Sequence, residues 1–288
     1  MSVADGTVVW LGGALVDPST ASVHWSDHGL TVGDGVFETM KVTDGVPFAL
    51  TRHLNRLESS AAGLRLPTPS RSDVVAAVHA VAESLDAPTG RLRITLTGGP
   101  GPMGSSRGAE GPTLLVVAQP VDLTAGPFAG PTSVATVPFT RNPQSATVGL
   151  KTTSYAENVV ALAAAESAGA SEALFENTRG ELCEGTGSNV FVVLDGELVT
   201  PPLSSGCLAG VTRALVLESL RAAGIAVTER DTPMTELERA EEMFLTSSTR
   251  DVQPVQKLDG RRLPACPGPL TAAASDAFRD AYRDRLDP

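Results

Sequence analysis

Of the 22 basic residues in the chain, only Lys41, Lys151 and Lys257 are lysines. Arginine keeps its proton at any working pH, so a reaction that needs an amine nucleophile has three side chains to choose from. Lys41 closes an alternating segment beside a turn, and Lys257 sits among Asp259, Arg261 and Arg262; both read as solvated charges. Lys151 lies in Gly149-Leu150-Lys151-Thr152-Thr153-Ser154-Tyr155, with hydroxyls and a glycine around it and an apolar helical stretch after it. A cation ahead of a helix opposes the helix dipole, which counts against an ordinary surface lysine without excluding one.

Glu184 stands in Cys183-Glu184-Gly185-Thr186-Gly187-Ser188-Asn189-Val190-Phe191. It is a turn residue or, facing a pyridine nitrogen, a group that would keep that ring protonated and a better electron sink. The backbone of Ser188 and Asn189 in the same turn offers N–H groups to an anion. Ala209-Gly210-Val211-Thr212-Arg213 opens a helix whose first N–H groups, with the Thr212 hydroxyl, suit a phosphate, unless Thr212 merely caps it. The cluster Thr246-Ser247-Ser248-Thr249 at a strand end offers more hydroxyls. Arg56, at helical spacing from Arg52, is either a solvent-facing charge or a bidentate phosphate ligand. Taken together, an amine, a carboxylate and several anion donors are what a pyridoxal 5'-phosphate site requires.

The bulk properties leave room for that chemistry. The chain has 288 residues, 42% of them hydrophobic, enough for two compact lobes. Its net charge of −11 argues against a nucleic-acid partner, which would call for a basic patch. No apolar run approaches the ~18 residues of a membrane span, and residues 1–13 lack a secretory pattern. Cys183, Cys207 and Cys266 are odd in number and widely spaced, which predicts reduced thiols and a cytoplasmic location. The histidines show no metal-binding spacing.

The elements that must position these groups follow from periodicity. Strands are expected at 8–11 and 14–16, then at 37–42, with Asp44-Gly45 turning into a return strand at 47–50. Helical spacing of His53, Leu54, Leu57, Ala61 and Leu64 runs to Pro67, and a second helix follows at 74–85 behind Ser70. Strands at 91–97 and 114–119 flank a Gly/Pro/Ser-rich loop. The domain division reads as a small α/β lobe at 1–119, a linker at 120–131 and a larger lobe at 132–288 carrying Lys151. That lobe is expected to hold strands at 133–137, 172–177, 189–194, 197–200, 226–229 and 242–246. Its helices are expected at 155–169, 212–224, 234–239 and 270–285.

The motifs His28-Gly29-Leu30 through Gly33-Asp34-Gly35-Val36-Phe37-Glu38, His53-Leu54-Asn55-Arg56-Leu57 and Leu150-Lys151-Thr152-Thr153 occur in order, followed by the 184–191 stretch, 208–213 and 244–255. Over about His28 to Pro254 the chain thus resembles the class IV (fold-type IV) aminotransferases. These include branched-chain and D-amino-acid aminotransferases and 4-amino-4-deoxychorismate lyases. The resemblance implies an α/β (α+β) fold of two lobes with the cofactor between them, in a homodimer. It implies Lys151 as the Schiff-base lysine and proton shuttle, Glu184 as partner of the pyridine nitrogen, and Tyr155 as partner of the phenolic oxygen. Arg56, Val211, Thr212 and Ser248 match phosphate ligands.

Substrate choice is less plainly marked. Glu38 stands where the lyases often carry a threonine, which favours a transaminase. Arg93 resembles an arginine that helps bind the substrate carboxylate in branched-chain enzymes, with Phe37 and Thr249 as further substrate contacts. Thr97-Gly98-Gly99 replaces the Thr-Arg-Gly of D-amino-acid enzymes, so Arg107 becomes the loop candidate for that carboxylate. Val32 stands where branched-chain enzymes have a tyrosine. The expectation is transamination between a D- or small aliphatic amino acid, or an (R)-amine, and a 2-keto acid. An aminodeoxychorismate lyase is the alternative, and a phosphate-binding module without covalent chemistry would leave Lys151 and Glu184 unexplained.

Overall fold

The computed structural model describes residues 5–124 and 130–288. The middle of the expected linker, and the first residues of the segment searched for a secretory pattern, lie outside the described residues. The chain divides into two compact units. The first holds Met1–Leu123, Leu150–Ser154 and Leu286–Pro288; the second holds Thr124–Gly149 and Tyr155–Arg285. The segment carrying Lys151 therefore groups with the first unit, where the sequence reading had put it in the C-terminal lobe.

In the first unit, β1 (Val8–Leu11) and β2 (Ala14–Val16) form a hairpin, and the short helix α1 (His28–Thr31) precedes β3 (Gly35–Thr43) and β4 (Val46–Pro47). Helices α2 (Leu50–Gly63) and α3 (Arg71–Glu83) follow, then β5 (Thr89–Thr97) and β6 (Thr113–Pro120). The strands make one sheet in the order β2-β1-β6-β5-β3-β4, antiparallel throughout. Alternation along β3 and β5 sends Met40, Val42, Leu92, Ile94 and Leu96 to one face, where Leu54, Leu57 and Ala61 of α2 and Val78 and Val81 of α3 cover them. Each such leucine contributes about 1.5–3 kcal/mol on burial. The opposite face carries Phe37, Arg93 and Thr95.

The helix α2 begins at Leu50, so the expected return strand at 47–50 is cut to two residues. No side chain of its own end caps it. The C-terminus does: Asp287 accepts from the Thr51 N–H at 2.8 Å and the Thr51 hydroxyl at 2.6 Å. Ser70 caps α3 as expected, accepting from the Asp73 N–H.

The second unit contains β7 (Thr132–Arg141), α4 (Ala156–Ser167), β8 (Glu172–Asn177), β9 (Leu182–Gly185), β10 (Asn189–Leu194) and β11 (Glu197–Thr200). It continues with α5 (Val211–Ala222), β12 (Thr228–Glu229), β13 (Glu242–Ser247), β14 (Asp251–Leu258), β15 (Arg261–Arg262) and α6 (Pro269–Tyr282). Its sheet runs β12-β11-β10-β13-β14-β7-β8-β9, with β15 on β14. The parallel pairs β7–β8 and β11–β12 are joined by α4 and α5, as parallel pairing demands a crossover. Strands β9 and β10 stand far apart in that order, yet residues 186–188 alone connect them, so the sheet curls back on itself. Phe191 and Phe244 stack in its core with ring centroids 4.7 Å apart.

The expected helix at 234–239 is a 3-10 helix, and β12 is shorter than foreseen. The β9, β14 and β15 strands were not foreseen. Pro254 hid β14, because a proline inside an apolar run argues against a central strand. It is tolerated because β7 joins β14 only from Val255, so the proline is paired on the β13 side alone.

Candidate active site

Within the first unit, residues 150–154 lie against the start of β3. The Phe37 N–H donates to the Lys151 carbonyl at 2.9 Å, the Thr153 N–H donates to the Gly35 carbonyl at 2.8 Å, and Ser60 of α2 accepts the Lys151 N–H at 3.1 Å. Gly33 makes this approach possible: it has φ +69°, and a Cβ there would meet Ser154 Oγ at 2.5 Å. The hydroxyls of Thr153 and Ser154 both donate to the Gly33 carbonyl. These backbone anchors of Lys151 lie within one unit, and its Nζ stands 4.5 Å from the Phe37 ring centroid. Arg93 places its guanidinium 3.7 Å from the same centroid and donates to Thr95 Oγ1 at 3.1 Å.

Glu38 follows Phe37 and points to the opposite face, where it is fully buried. It accepts from His53 Nδ1 at 2.6 Å and from Arg56 Nε and NH2 at 2.7 Å each. Burial alone would raise its pKa, but the charge and hydrogen bonds of Arg56, helped by His53, outweigh that and hold it at about 2. Burial lowers the pKa of His53 and keeps its imidazole neutral, with the proton on Nδ1 facing the carboxylate.

Arg107 is placed otherwise than a carboxylate trap would be. Its guanidinium donates to both Asp34 oxygens at 2.6 and 2.7 Å and to the carbonyls of Arg65 and Leu64. Those bonds occupy it as a staple holding the 98–112 loop. Val32 ends α1 and is exposed.

Within the second unit, Glu184 of β9 accepts the Leu208 N–H at 2.9 Å and pairs with Arg141 Nε at 3.3 Å. Arg141 lies over the Phe175 ring, 3.9 Å from its centroid. Asn189 opens β10, opposite Thr246 of β13, and its Nδ2 donates to the Leu208 carbonyl at 2.9 Å. Its Oδ1 fills the space a Cβ on Gly210 would need, so only glycine lets the α5 N-terminus come this close. No side chain caps α5. Val211 and Thr212 in its first turn are buried, as are Ser188 and Thr246. The Ser188 and Thr246 hydroxyls have no hydrogen-bond partner among the described residues. Uncapped N–H groups beside unsatisfied buried hydroxyls make a cradle for an anion. Ser248 and Thr249 lie in the turn between β13 and β14, and Tyr155 is half-buried at the start of α4.

The structure thus groups Lys151, Phe37 and Arg93, and separately Glu184, Ser188, Asn189, Val211 and Thr212. Sequence reasoning missed His53, Arg141 and the pairing of Glu38 with Arg56. The helical spacing of Arg56 from Arg52 is visible in the sequence, but no local pattern ties Arg56 or His53 to Glu38. Cys183 and Cys207 are buried free thiols, and burial pushes the Cys207 pKa up to about 11.

The model of the class IV amino-transferases matches residues 35–258. A putative branched-chain-amino-acid aminotransferase of Methanocaldococcus jannaschii is 33% identical over 94% of this chain and 95% of its own length. A bifunctional aminodeoxychorismate lyase/D-amino acid transaminase of Mycobacterium tuberculosis is 32% identical over 90% of this chain and 94% of its own length. The crystal structure of the Escherichia coli branched-chain amino acid aminotransferase superposes with a TM-score of 0.89 at 26% identity, covering 96% of this chain and 94% of that one. The chain belongs to the class IV aminotransferases, which are pyridoxal-phosphate-dependent enzymes.

Proposed function

We propose that this chain is a transaminase acting on D- or small aliphatic amino acids, and on simple (R)-amines, with a 2-keto acid as the other substrate. The observation that carries the reading is the placement of Lys151, whose backbone is pinned to β3 and Ser60 while its amine stands over the Phe37 ring. The donor set fits pyridoxal phosphate: an amine, a carboxylate, and an uncapped helix start beside the orphaned hydroxyls of Ser188 and Thr246.

When bound, pyridoxal phosphate supplies an electron sink for charge that develops at the substrate's α-carbon. Lys151 would hold the cofactor and, once released, its Nζ would take the α-proton and return it. Glu184, fixed by the Leu208 N–H and Arg141, would accept from the ring nitrogen. Tyr155 would meet the phenolic oxygen. Arg56, Ser188, Asn189, Val211, Thr212 and Ser248 would hold the phosphate. Arg93 on the Phe37 ring would orient a carboxylate, with Val32 and Thr249 as further substrate contacts. Arg107 is already engaged by Asp34 and is not assigned that role.

An amino-donor panel of D- and L-amino acids and (R)-amines, followed by the cofactor spectrum, tests the reading. Conversion to the amine form of the cofactor by D- or small aliphatic donors is expected. Pyruvate released from aminodeoxychorismate without an added keto acid, with no amino acid reacting, would make the enzyme a lyase instead.

A further inference from the structure

Thr246 stands near the end of β13, only 2% exposed, and its hydroxyl has no hydrogen-bond partner among the described residues. Its strand neighbours are Asn189 of β10 on one side and Val252 of β14 on the other. Residues directly opposite each other in an antiparallel pair send their side chains to the same face. Thr246 therefore shares a face with Asn189, as Phe244 two residues earlier shares it with Phe191. Asn189 shows what covers that face. Its Nδ2 donates to the Leu208 carbonyl at 2.9 Å, and its Oδ1 fills the space beside Gly210. The Thr246 side chain is thus directed to the layer in which α5 begins, and α5 packs against β13.

The start of α5 has donors to offer. Its first helical hydrogen bond runs from the Ala214 N–H to the Gly210 carbonyl at 3.0 Å, so the N–H groups of Val211, Thr212 and Arg213 have no acceptor within the helix. Gly210, at the cap position, has no side chain to satisfy them. Thr246 adds a hydroxyl from the strand side. Valine would fill the same volume in a strand equally well, and would not bury an unpaired hydroxyl, which costs stability. A donor kept at that cost, facing an uncapped helix start, suits a ligand made of acceptors, an anion.

We infer that the Thr246 hydroxyl is a ligand of the cofactor's phosphate, donating from the strand side while α5 donates from its first turn. The inference rests on the proposed function and adds a contact to it. Ser248 is the hydroxyl that the resemblance implies at this strand end; Thr246 lies two residues earlier and is the more deeply buried. A hydroxyl of this kind gives the ligand-free chain nothing and strengthens the liganded one. That separates it from a threonine kept for the fold.

The test uses Thr246→Val, which keeps the shape and removes the donor, and Thr246→Ser, which keeps the donor. Affinities of the cofactor-free protein for pyridoxal phosphate and for pyridoxal, which lacks the phosphate, are measured together with its urea midpoint. Thr246→Val is expected to bind pyridoxal phosphate about tenfold more weakly and pyridoxal as the wild type does. Its ligand-free midpoint is expected to be no lower than the wild type's, and added inorganic phosphate to raise that midpoint less. Thr246→Ser is expected to keep the wild-type preference for the phosphorylated ligand. Undiminished affinity for pyridoxal phosphate in folded Thr246→Val, equal weakening of both ligands, or a lower ligand-free midpoint would overturn the inference. A wild type that forms no borohydride-stable adduct with pyridoxal phosphate would overturn the proposed function itself, and the inference with it.

Discussion

Glu38 receives one full edge of the Arg56 guanidinium, Nε on Oε1 and NH2 on Oε2, both at 2.7 Å. Arg56 is thereby held in one pose before any ligand arrives, and bidentate geometry permits little rotation. Replacing Glu38 by alanine removes the counter-charge of a largely buried arginine and a partner of His53. We expect a loss of about 3–5 kcal/mol in urea unfolding, and weaker binding of pyridoxal phosphate wherever the variant still folds.

The same pair fixes how stability depends on acid. The Glu38 pKa is depressed from 4.5 to about 2, so its contribution is complete above pH 4.5 and disappears as pH falls toward 2. Its size is about 3 kcal/mol. The pKa of His53 is also depressed, from 6.5, so protonation of the unfolded chain already erodes stability below that pH. Glu38→Gln should flatten the lower part of the profile and His53→Gln the upper part, measured by denaturant melts from pH 7 to pH 3.

Arg93 and Arg107 were both expected at the substrate carboxylate, and the structure separates them. Arg93→Met should raise the KM of an amino acid by about tenfold while leaving that of an (R)-amine, which has no carboxylate, unchanged. Arg107→Met should leave both KM values near the wild type and expose the 98–112 loop to proteolysis. A rise in amino-acid KM caused by Arg107→Met alone would reverse the assignment.

Asp287 caps α2 from the far end of the chain. Asp287→Ala should cost about 1 kcal/mol of stability, the usual value of a lost helix cap, without altering the cofactor spectrum.

Local chemistry was legible in the sequence wherever neighbouring residues decide the outcome. Three of the five Asp-Gly pairs, at Asp44, Asp195 and Asp259, take positive φ at both positions and turn hairpins. Ser70 caps its helix as expected. What escaped was decided at a distance. Pro254 concealed β14 because its one-sided pairing depends on where β7 joins. Lys151 was found, but its segment packs on β3 through backbone bonds that a distant glycine, Gly33, allows. Arg107 matched a role by position, yet Asp34 and two carbonyls occupy it. Glu172 and Arg250 form an ion pair at 2.6 Å although they stand far apart in the chain, beyond the reach of any local pattern.

The central claim is that Lys151 is the amine that holds the cofactor. Borohydride reduction of the protein loaded with pyridoxal phosphate, followed by peptide mapping, tests it directly. One phosphopyridoxyl group on the peptide carrying Lys151 is expected, with none on Lys41 or Lys257. Label on either of those lysines instead, or multiple-turnover transamination by Lys151→Ala, would contradict it.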